Sequence, residues 1–163
     1  MLNKKTEHSY IEILQRSLEK KSQVLDRIME ENRNMAVVAQ AERFNPDRFD
    51  EIFERKDALI KELNELDVGF RTVYAHVKEE LTNNKDEHKE EIANLQRLIK
   101  EVTDKSVNIQ VEEKRNQAAL NNRMDVFKKE LCQAKNTRKI MASYVNNMTG
   151  RNVVEPQFMD KKK

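Results

Sequence analysis

The chain has 163 residues, 37% hydrophobic and 37% charged, with no Trp, two Gly and two Pro, a composition that excludes a thick globular core and favours long helices with narrow apolar stripes. Lys and Arg total 31 against 29 Asp and Glu, interspersed to a net charge of +2, which leaves no broad field for nucleic acid or a membrane surface. The lone Cys132 excludes an intrachain disulfide, and no apolar run approaches the roughly 18 residues of a membrane span or forms a signal-peptide core, so a cytoplasmic protein without membrane insertion is expected.

Residues 1–6 carry no pattern and are expected to be disordered. From there Ile11, Leu14, Leu18, Lys21, Leu25, Ile28, Asn32, Met35 and Ala39 are spaced alternately three and four apart, the spacing of a coiled-coil seam. A first helix over 7–41 follows. Its two polar seam positions, Lys21 and Asn32, are of the kind that set register at some cost in stability. The stretch Phe44-Asn45-Pro46-Asp47-Arg48-Phe49 then reads as a helix start, with Asn45 as N-cap, Pro46 at the first helical position and Asp47 at the positive dipole end. Phe44 and Phe49 occupy the positions of a hydrophobic staple.

The second helix, over 46–82, repeats the spacing at Phe49, Ile52, Lys56, Leu59, Leu63, Leu66, Phe70, Val73 and Val77, with Phe53, Ile60, Tyr74 and Leu81 widening the stripe. Gly69 inside it costs about 1 kcal/mol relative to Ala and marks a weak spot or a close helix approach. Asn83-Asn84 is the next break, with Asn84 as N-cap and Asp86 and Glu87 in the following turn. A third helix over 85–120 has its seam at Ile92, Leu95, Ile99, Val102, Ser106 and Ile109, and weakens at Glu113 and Asn116.

Helices of about 35 residues are roughly 50 Å long, and short connections make them antiparallel neighbours. The expected fold is therefore all-α: an elongated antiparallel three-helix coiled-coil bundle over 7–120 with a long C-terminal helical extension. The third helix exhausts its partner surface near Leu120, yet Met124, Phe127, Leu131, Ala134, Arg138, Met141, Val145 and Met148 keep the three-and-four spacing. The column Leu95, Val102, Ile109 would continue to Asn116, Arg123 and Glu130, one residue out of phase with Met124, Leu131 and Val145. Residues 118–148 thus read as a separate functional unit, with an amphipathic partner-binding helix over 121–148 and a flexible tail over 149–163.

Nothing in the chain has the spacing of an enzyme site, a cofactor site or a metal site. The only glycines are 81 positions apart, and His8, His76 and His88 are scattered without a second helical histidine or a cysteine pair. His88 reads as a residue of the cap region, and acidic pairs such as Glu79-Glu80 and Glu90-Glu91 as solvated charge. The face formed by Met124, Phe127, Leu131, Met141, Val145 and Met148 is the candidate binding surface, its flexible thioethers suiting an adaptable helix-on-helix contact. The alternative is a self-associating scaffold, in which the same face builds a homodimer or folds back as a fourth helix.

Three stretches carry a family resemblance: Glu54-Arg-Lys-Asp-Ala-Leu-Ile-Lys-Glu-Leu-Asn-Glu-Leu-Asp67, then Ile92 to Ile109, and Arg115-Asn-Gln-Ala-Ala-Leu-Asn-Asn122. In these the chain resembles the flagellar type III export chaperones of the FlgN class over most of residues 8–148; the FliT class, whose client is the filament cap protein, is nearly as compatible. The resemblance implies a small cytosolic protein that binds hook-filament junction proteins before export and delivers them to the export gate. It maps client binding onto the Met124 to Met148 region and implies a contact of Tyr144 with the cytoplasmic domain of the gate.

Overall fold

A computed structural model describes the backbone of residues 4–149 and their side chains except 134, 137–141 and 143–149. The described residues are helical without a strand and form three helices, α1 (Lys4–Gln40), α2 (Pro46–Asn83) and α3 (Lys89–Thr149). The expected tail over 149–163 lies outside the described residues apart from Thr149 at the end of α3. Two compact units divide the chain, Met1–Asn116 and Gln117–Lys163.

α1 begins at Lys4, inside the segment expected to be disordered, and has neither Gly nor Pro to interrupt it. Twelve of its residues are buried against four on α2, so α1 is the element that the others cover in the first unit. Its buried face includes Ile11, Leu14, Leu18, Leu25, Ile28, Asn32, Met35 and Ala39, the seam that the three-and-four spacing predicts. Each large apolar side chain so buried contributes about 1.5–3 kcal/mol relative to exposure.

The start of α2 is built as its sequence dictates. Asn45 Oδ1 accepts from the Arg48 N–H at 3.2 Å, Pro46 opens the helix, and the Phe44 and Phe49 rings meet at 6.0 Å. Farther along, Leu59, Leu63, Leu66, Phe70, Val73 and Tyr74 are partly buried against the core. Phe53 and Ile60, expected to widen the stripe, are exposed instead; Phe53 stacks on Phe49 at 6.3 Å. The close helix approach considered for Gly69 does not exist, since a Cβ there would meet nothing within 4 Å.

The break after α2 differs from the expected one. Asn84 closes α2 rather than opening α3: its N–H donates to the Glu80 carbonyl at 2.9 Å, and its Nδ2 donates to Glu80 Oε1 at 2.6 Å. A turn over 85–88 follows, and His88 takes the capping place, its carbonyl accepting from the Ile92 N–H at 2.8 Å. α3 then runs without interruption from Lys89, past the 120 expected as the end of the third helix. On it Leu95, Leu98 and Val102 are buried and Ile99 is exposed. Leu98 and Ile99 both satisfy a three-and-four alternation between Leu95 and Val102, so spacing alone selected the wrong one.

Cross-helix contacts give the order of approach. Tyr10 stacks on His76 at 5.2 Å, Lys21 pairs with Asp67, and Arg55 pairs with Glu31, so partners descend along α2 as they ascend along α1. Between α1 and α3 they ascend together: His8 with Glu91, Lys105 with Ser22 and Asp26, Asn32 with Glu112. Three polar seam positions have partners on a facing helix, whereas Ser106 Oγ donates to the Val102 carbonyl of its own helix. Lys21 meets Asp67, Lys56 meets Glu113, and Asn32 bonds Glu112 and Asn116.

Two expectations follow. Gly69→Ala should raise stability by about 0.5–1 kcal/mol, because the Cβ meets open space and alanine loses less backbone entropy in a helix; a lowered thermal midpoint would contradict this. The Arg55 guanidinium, donating to Glu31 at 2.8 and 3.1 Å, holds that carboxyl below its ordinary 4.5. Stability from a lowered carboxyl pKa is fully present above the unfolded value and is lost as pH falls through the folded one. Arg55→Gln should therefore lower the melting midpoint at pH 7, with a deficit that shrinks as pH falls below about 4.5. An equal deficit at pH 7 and pH 3 would assign the effect to packing of the arginine stem.

Candidate partner-binding surface

The second unit begins at Gln117, within α3. Met124 and Phe127 are 48% and 52% exposed, and Leu131 is half-buried. Steps of three and four residues place these three on one face of the helix. Together they form a one-faced apolar row of the kind a partner helix can cover, although exposed apolar side chains also occur in the first unit, at Phe53, Val107 and Val111. Val126, which the periodicity did not single out, is also exposed, and two residues from Met124 it belongs to a different side of the helix. Cys132 is exposed. The side chains of Met141, Tyr144, Val145 and Met148 lie outside the described residues.

The polar run before this unit has a structural reason. Glu112 Oε1 accepts from Asn32 Nδ2 at 3.1 Å, Glu113 pairs with Lys56, and Asn116 Nδ2 donates to the Asn32 carbonyl at 2.9 Å. Asn32 is 1% exposed; an amide so buried loses its water and depends on these bonds. Its Oδ1 has no partner, which adds to the cost of the layer. The weakening expected at Glu113 and Asn116 is thus a polar crossing, with α1, α2 and α3 each supplying a member.

A second polar group sits where α1 starts, α2 ends and α3 starts. His88 Nδ1 lies 3.0 Å from Glu91 Oε1 and Nε2 lies 3.5 Å from Glu80 Oε1. An ionised carboxylate only accepts, so Nδ1 is the donor to Glu91. The bond to Glu91 above all, and then Glu80, hold the His88 pKa above its ordinary value, against the opposing effect of burial. The carboxylate of Glu7, a residue only 7% exposed, joins the same group. These residues are 73 and 8 positions apart, so no motif could have announced them.

Next to this group, an open groove of about 710 Å³ lies between the end of α2 and the start of α3. Phe70, Tyr74, Leu81, Ile92 and Leu95 line it, with Leu14 of α1. Among the described residues no helix is long and apolar enough to cross a membrane.

Comparison with known proteins adds no relative to this geometry: no family model matches the chain. No curated protein and no solved structure matches it.

Proposed function

We propose that this chain is a helical binding protein without catalytic chemistry, acting as a cytosolic flagellar type III export chaperone that holds hook-filament junction proteins and passes them to the export gate. The observation that carries the binding part is the apolar face of the second unit, with Met124 and Phe127 half exposed beside Leu131. A client helix laid along that face would bury the methionine and phenylalanine together. Methionine adapts its shape to more than one arrangement, as a carrier of different clients requires.

The identity of the client rests on the resemblance of residues 54–67, 92–109 and 115–122 to the FlgN class. In this reading the 7–120 body is an antiparallel coiled coil whose work is to present the binding helix over 121–148. Met141, Val145 and Met148 extend the client surface, and Tyr144 meets the cytoplasmic domain of the gate. The all-helical architecture and the pairing of polar seam positions across the helices are compatible with such a body.

The test is co-purification of hook-filament junction proteins with the full-length chain and with a Phe127→Ala, Leu131→Ala double variant, with light scattering on the free chain. The double variant should lose the client while its helicity and melting midpoint stay nearly unchanged, and the free chain should scatter as a concentration-independent monomer. Client binding unaltered by the double substitution would remove the site assignment. A stable dimer that Phe127→Lys dissociates would favour the self-associating scaffold.

A further inference from the structure

We infer that Glu7, Glu80 and His88 form a binding site for a divalent transition metal ion of zinc type, joining the start of α1, the end of α2 and the residue that caps α3. Their ligand atoms all lie within 4.8 Å of one another. Two ligands on a tetrahedral zinc, bonded at about 2.0–2.1 Å, stand roughly 3.4 Å apart. His88 Nε2 and Glu80 Oε1 are already at that separation, 3.5 Å. Binding an ion would require the other distances, at most 4.8 Å, to close by rotation of the carboxylates.

The orientation of His88 is the second observation. Its Nδ1–H is committed to Glu91 at 3.0 Å, which leaves Nε2 beside Glu80 and free to act as a ligand. A metal-bound histidine almost always donates its other ring nitrogen to a carboxylate or carbonyl in this manner. Nε2 is shielded from solvent, and the Glu80 carboxylate at 3.5 Å is too far for a well-formed hydrogen bond, an incomplete satisfaction of a buried polar atom that an ion between them would complete.

Charge points the same way. Among the described residues, Glu7 and Glu80 make no ion pair with a lysine or arginine, and the pairs made by Glu80 and Glu91 run to histidines. Two carboxylates gathered around a buried imidazole nitrogen leave negative charge in a partly desolvated place, which a cation relieves. An imidazole ligand favours zinc and its neighbours over calcium or magnesium, which take oxygen ligands. Three protein ligands leave a fourth position for water. Because each ligand comes from a different helix end, the ion would tie α1 to the turn between α2 and α3. A proton on Nε2 is the competing occupant, and the metal titration decides between them.

The experiment uses the full-length chain stripped with a chelator and titrated with Zn²⁺ while the melting midpoint is followed, and with Co²⁺ while its visible absorption is followed. One equivalent of either ion should saturate the signal, with a raised midpoint and the intense Co²⁺ bands of low coordination number. Glu7→Gln and His88→Gln should each abolish both effects with far-UV helicity unchanged. Glu91→Gln should weaken binding about 10- to 100-fold, the usual loss when the carboxylate behind a ligating histidine is removed. His8→Gln and Cys132→Ser should bind as the parent does. Should His88→Gln fail to fold, Glu7→Gln carries the test. No change in midpoint and no Co²⁺ spectrum, or binding that survives Glu7→Gln, would overturn the assignment.

Discussion

The polar crossing at Asn32, Lys56, Glu112, Glu113 and Asn116 is the constraint on which the three-helix body depends. Apolar seams of similar residues slide past one another at little cost, because one leucine fills a neighbouring hole almost as well as the next. A buried amide and a buried ammonium do not slide. Moving α3 by one turn would leave Asn32 without Glu112 and Asn116, and Lys56 without Glu113, stranding polar groups at about 1–3 kcal/mol each or more where charge is involved. Lys21 with Asp67 repeats the device at another level of α1 and α2.

With register set, the thin supply of apolar residues is concentrated on α1. Its stripe from Ile11 to Ala39 is the inner surface, and α2 and α3 contribute shorter runs such as Val77 and Leu81 or Leu95, Leu98 and Val102. This economy is what a composition with equal shares of charged and hydrophobic residues permits. Among the described residues, Asn116 is the highest-numbered buried one; Met124, Val126 and Phe127 beyond it are exposed, as Ile99, Val107 and Val111 are before it, so the contribution of α3 to the core lies in its first part.

Much of the body was legible from the residues because its signals are local or periodic. The α1 seam and the Asn45-Pro46 cap depend on neighbours within a few positions, and both appear where the sequence places them. Errors arose where two solutions satisfy one rule. Leu98 and Ile99 both fit the alternation, and Asn84 suits the end of one helix as well as the start of another. Partnership across the chain was not legible at all. The polarity of Glu113 and Asn116 looked like a failing seam because Lys56 and Asn32, which explain it, lie on other helices. Glu7, Glu80 and His88 likewise converge only after folding. Of the candidate binding surface, Met124 and Phe127 are exposed, while Val126 escaped notice because it breaks the period.

The central claim is that α3 belongs to two units, a packed part ending near Asn116 and a second part beginning at Gln117, which we propose binds a partner. Native-state hydrogen exchange resolved along α3 tests it most directly. Amides from about 95 to 116 should exchange only through global opening, and those from 117 to 133 should exchange much faster through local opening, slowing when a client is bound. Equal protection on both sides of Asn116 in the free monomer would contradict the account.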